Sequence, residues 1–194
     1  MEVMRYKDFN RNIKFLCEKY QIGNYTINSD KSIDVDGTVD ISYKKLIGFP
    51  INFRNVSGSF FCYGNELESL KGSPIYVGEY FDCSSNELKT LEYSPTKIIG
   101  NFHCSFNEIK TLVDIPISIG GDVDITNNPV SEVINLFKET SLFDTSSLLE
   151  LVNLINELDV IQGNNIILDR LKEVSYLFDF DIGKNLKFEN YEII

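Results

Sequence analysis

The chain has 194 residues, 43% of them hydrophobic, and a formal net charge of −11. That length supports one continuous core, and no apolar run approaches the ~18 residues that a membrane helix needs. The acidity also opposes direct binding to nucleic-acid phosphate, which requires a basic stripe. Acid is unevenly placed. Residues 1–50 carry 8 basic and 7 acidic side chains, residues 51–120 carry 5 and 8, and residues 121–194 carry 5 and 14.

Tyr6, Phe9, Ile13, Leu16 and Cys17 recur at helical spacing and predict one amphipathic helix from about residue 7 to 20, ended by Gly23-Asn24. The first residues lack the apolar stretch of a signal peptide, so a cytoplasmic product is expected. Ile27 to Val35 read as an edge strand or hairpin. Residues 1–36 together are expected to cover the first repeat, whose apolar end would otherwise meet water.

From residue 37 a fixed period takes over. Asn65, Asn86, Asn107 and Asn128 stand 21 residues apart, each preceded by an alternating pair: Phe60 and Cys62, Phe81 and Cys83, Phe102 and Cys104, Val123 and Ile125. Alternation of period two marks half-buried strands, and a repeat of this length means units that bury their apolar faces only by stacking. Val39, Ile41, Leu46 and Phe49 fit the frame as an irregular first unit. Leu67, Leu70 and Val77, with their counterparts, are expected to fill the interior from the other side. Pro74, Pro95 and Pro116 lack an N–H and fix φ, which suits an extended return and excludes a regular helix. Each asparagine amide can satisfy backbone groups of both neighbouring turns where the chain leaves the strand.

Phe-x-Cys-x-x-Asn-x-Leu-x-x-Leu resembles the core of leucine-rich repeats, and the proline with its short extended return is similar to the compact bacterial subclass. The likeness covers about residues 37 to 137. The Gly-x-Phe-x-Cys-Ser-x-Asn flavour and the tail from Glu157 to Leu171 also resemble repeat proteins encoded by bacteriophages, for which no activity is known. The resemblance implies a repeat solenoid (LRR-like): a parallel β-sheet of stacked 21-residue coils over residues 37–130, with extended returns. No catalytic role is carried over, because the cysteine of ubiquitin-ligase relatives would lie after Cys104, where this chain has none.

Cys62, Cys83 and Cys104 occupy one inward column, where parallel Cβ vectors oppose disulfides and near-collinear ligands oppose a tetrahedral zinc site. No metal and no cofactor are expected. Beyond the repeats, Val133, Ile134, Leu136 and Phe137 predict a short apolar helix, and a second is expected to begin at Ser147 with the capping box Ser147-Leu-Leu-Glu150. Asp169 to Phe180 reads as a third. Residues 131–194 thus form an acidic, mainly helical C-terminal cap or subdomain.

The outward strand positions fall into three columns. These are Thr38, Ser59, Tyr80, Asn101, Asp122; then Asp40, Phe61, Asp82, His103, Asp124; then Ser42, Tyr63, Ser84, Ser105, Thr126. Phe61, Tyr63 and Tyr80 cluster on adjacent strands where the fold does not ask for aromatics, which marks them as binding anchors. Asp82, Asp122 and Asp124 make an acidic end, and His103 lies between carboxylates with no nucleophile beside it. These seven residues are the candidate partner-binding set. The expected activity is non-enzymatic protein binding through the strand face, with a host or viral protein as partner, a basic one suiting the acid. The alternative is an assembly or virion-associated protein that contacts partners, or a second copy of itself, through the acidic tail.

Overall fold

A computed structural model describes residues 12–137, 144–183 and 186–194. The first element, α1 (residues 12–19), turns Ile13 and Cys17 into the core. Tyr6 and Phe9 of the expected stripe lie outside the described residues. The helix stops before Gly23-Asn24: the Ile22 N–H reaches back to the Cys17 carbonyl at 2.8 Å and Gln21 takes a φ of 57°. Left-handed backbone with a back-reaching N–H is how helices commonly close. An antiparallel hairpin follows, β1 (Tyr25–Ile27) with β2 (Ile33–Val35).

The chain then alternates front and back strands. In order these are β3 (Val39–Asp40), β4 (Phe53–Val56), β5 (Phe60–Phe61), β6 (Tyr76–Val77), β7 (Phe81–Asp82), β8 (Lys97–Ile98), β9 (Phe102–His103), β10 (Ser118–Ile119) and β11 (Val123–Asp124). Odd strands from β3 make a five-stranded parallel front sheet. Even strands extend the hairpin into a six-stranded back sheet. The molecule is a parallel-strand β-solenoid, and its register is the sequence period: Phe60 pairs with Phe81, and Phe81 with Phe102. The returns after the prolines are therefore more than an extended path. Their N–H groups must find partners and find them one coil back, Gly78 on Val56 at 2.9 Å and Ile99 on Val77 at 3.0 Å.

Between the sheets the core is a set of columns. Phe60 and Phe81 stack at 5.7 Å with an 11° interplanar angle, and Phe102 continues the pile at 6.0 Å. Cys62, Cys83, Cys104, Leu67, Leu70, Leu88, Leu91, Val77 and Ile98 are fully buried. The asparagines close each front turn, but toward the preceding coil and their own strand rather than toward both neighbours. Asn86 Oδ1 accepts the Leu67 N–H at 3.0 Å, while its Nδ2 donates to the Cys62 and Cys83 carbonyls at 3.1 and 2.9 Å. Asn65, Asn107 and Asn128 repeat the arrangement.

The residue before each asparagine is left-handed: Gly64 (φ 65°), Ser85 (55°), Phe106 (55°) and Asn127 (55°), with Tyr43 (55°) at the same place in the first coil. Only glycine takes that conformation without steric cost.

After the coils come α2 (Ser131–Asn135), α3 (Thr145–Glu157), β12 (Ile161–Gln162), β13 (Asn165–Ile166), α4 (Leu168–Leu177) and β14 (Glu192–Ile193). The helix cap falls on Asp144 rather than Ser147. Asp144 has extended backbone, and its carboxylate accepts the Ser147 N–H at 2.9 Å, the geometry that favours aspartate at this position. A three-stranded sheet, β12-β13-β14, interrupts what reads as a mainly helical region. This region is tied to the late coils through Thr145 Oγ1 on the Gly121 carbonyl (2.9 Å), Asn156 Nδ2 on Leu112 (3.3 Å) and the Tyr191 hydroxyl on Lys110 (2.6 Å). No helix among the described residues is long and apolar enough to cross a membrane.

Candidate functional site

Because Phe60, Phe81 and Phe102 point inward, the next residue of each front strand points out. The ladder aligns Asp40, Phe61, Asp82, His103 and Asp124 in one row. The two flanking rows are less open than their alternation suggests. Ser59, Ser42 and Ser105 are buried, since a short side chain sinks between taller neighbours, and the Ser59 hydroxyl donates to Glu79 Oε2 at 2.9 Å.

Two of the three predicted aromatics come together. Phe61 and Tyr63, both half-buried, meet edge to face at 6.4 Å. Tyr80, 47% exposed, is outside this chain of ring contacts. Its place is taken by Tyr43, 73% exposed, whose ring stands edge-on to Tyr63 at 5.1 Å. Sequence reasoning missed Tyr43. The signal was Gly64 one period later, a glycine in the column where Tyr43 bears a left-handed backbone.

The carboxylates also have work within the fold. Asp40 and Asp82 accept the N–H of Ser42 and Ser84 through Oδ1 at 3.0 and 2.9 Å, and Asp124 accepts both the N–H (3.0 Å) and the hydroxyl (2.7 Å) of Thr126. Partial burial works against ionisation of Asp124, but the Thr126 bonds win and hold its carboxyl below the usual carboxylate range. Asp122 is exposed beside this row, and its N–H donates to Asn101 Oδ1 at 2.9 Å. His103 is half-buried in the row between Asp82 and Asp124.

Burial pushes the thiols of Cys62, Cys83 and Cys104 upward in pKa, so no thiolate is offered at the surface. Among the described residues no group of three or more His, Cys, Asp or Glu is placed to hold a metal ion. What the face does present is a cluster of rings, Tyr43, Phe61 and Tyr63, at the first two coils, with Asp82, Asp122 and Asp124 beyond it, while Asp40 on the first coil and exposed Phe106 on the fourth depart from that division.

Comparison of the chain with protein-family models, with curated proteins and with solved structures yields no match.

Proposed function

We propose that the chain is a non-enzymatic protein-binding module, an LRR-like solenoid of the compact bacterial type whose front sheet docks a partner protein. Tyr43, Phe61, Tyr63 and Tyr80 serve as anchors, and Asp82, Asp122 and Asp124 face basic groups of the partner. The observation that carries this reading is the aromatic group itself. A front strand needs only its inward residues for packing, yet rings occupy half-buried and exposed outward positions on successive coils. Aromatics of this kind are enriched at the energetic centres of protein interfaces.

The test is affinity capture from a bacterial lysate with mass spectrometry, comparing the wild-type chain with a Phe61→Ser, Tyr80→Ser double variant. The variant is expected to keep its circular dichroism and lose the captured protein. Undiminished capture by a folded variant would sink the proposal.

A further inference from the structure

The N-terminal end of the front face differs from the rest. A cleft of about 330 Å³ opens there between the end of α1 and the first coil, with Lys19, Asp40, Ser42, Tyr43, Lys44 and Tyr63 in its walls. In a chain of net charge −11, two ammonium groups here outnumber one carboxylate. Lys44 stands at the frame position that asparagine holds in the four later coils, and its N–H is fixed on Asn65 Oδ1 at 2.8 Å. The Tyr43 wall is built in: its ring is braced on Tyr63, and it lies across Gly64, where a Cβ would come within 2.3 Å of it. Ser42 is 6% exposed, and its Oγ is buried with no hydrogen-bond partner, an uncommon state for a buried hydroxyl.

We propose that this cleft takes the carboxylate side chain of an acidic segment on a protein partner, which deepens and rests on the strand-face reading. Lys19 and Lys44 supply the counter-charge and Ser42 the short-range donor. Asp40 in the same cleft leaves one net positive charge, enough to neutralise a monoanionic carboxylate but only half of a dianionic phosphate, whose desolvation costs more. Tyr63 belongs both to the cleft and to the Phe61 contact, so an occupant here is continuous with one on the face. The surface is then bipolar: acid is received at the first coil, and base at Asp82 and Asp124.

The full chain, isotope-labelled, is titrated by NMR with capped hexaglutamate, hexalysine and inorganic phosphate. Hexaglutamate is expected to shift the amides of Ser42, Tyr43, Lys44 and Tyr63. K19Q/K44Q should weaken this binding by about tenfold, and S42A by a smaller factor with the fold unchanged. Hexaglutamate affinity of K19Q/K44Q reads the cleft, and lysate capture by the Phe61→Ser, Tyr80→Ser variant reads the wider face, so the two failures are distinguished. Unchanged affinity in K19Q/K44Q, shifts confined to other coils, or phosphate or hexalysine shifting the same amides as strongly, would each overturn the proposal.

Discussion

Inward and outward positions of the same front strands follow different rules. Inward, phenylalanine, then cysteine, then asparagine recur in the three central coils, flanked by Val39 and Ile41 in the first and Val123 and Ile125 in the last, because each side chain must fit the space left by its counterpart one turn away. Outward, the central row runs Asp40, Phe61, Asp82, His103, Asp124, so the residue on each coil differs in chemistry from the one stacked against it. Identical backbone environments thus hold near-identical residues on one side and unlike residues on the other. The difference teaches that stability and recognition are carried by alternate residues of one strand, and the two can be perturbed separately.

The largest expected effect breaks the inner wall. Phe81→Ala removes the middle ring of the stack and is expected to destabilise by about 3–5 kcal/mol, read as the urea midpoint and slope. Asn86→Ala strands the Leu67 N–H, while the Cys62 and Cys83 carbonyls each lose one of two asparagine donors and keep Asn65 and Asn107 respectively, and it is expected to cost about 1–3 kcal/mol. A cost below about 0.5 kcal/mol would mean that water replaces the amide.

Phe106→Gly sharpens the contrast from the other side. Phe106 is exposed and left-handed, so its replacement should leave stability unchanged or raise it by up to about 1 kcal/mol, while a loss of partner capture would identify an aromatic kept at thermodynamic cost. A clear destabilisation would place Phe106 in the packing instead.

The smallest effect is electrostatic. Asp34, paired through both oxygens with Arg54, has a carboxyl held below its usual range, first by that pair. A carboxyl depressed in the folded state adds stability at neutral pH that is lost as pH falls below about 4, through the folded value. Because Arg54 is substantially exposed, solvent screens the pair. Asp34→Asn should therefore flatten the decline of the urea midpoint between neutral and acid pH only slightly.

The period made the front sheet legible. Once Asn65, Asn86, Asn107 and Asn128 are aligned, Phe60 and Cys62 and their counterparts have nowhere to go but inward. The back sheet was harder to read, because two residues per coil show no alternation and the preceding prolines speak only for extended backbone. Ser147 offers a familiar capping motif, but the cap is Asp144 three residues earlier, because capping is decided by which residue is extended. At the face, side-chain height was invisible: Ser42 and Ser59 alternate outward yet are buried, and Tyr43 surfaces from a turn column that strand periodicity does not cover.

The outward carboxylates Asp40, Asp82 and Asp124 fall on every second coil, so they are spaced roughly 10 Å apart at the usual separation of paired strands. An extended polypeptide advances about 3.3 Å per residue. A partner segment laid along the axis of the coils would bring every third residue over a carboxylate, with Phe61 and His103 under the intervals. The solenoid is in this sense a ruler, and its graduation is set by the stacking distance of backbones rather than by any contact with the partner.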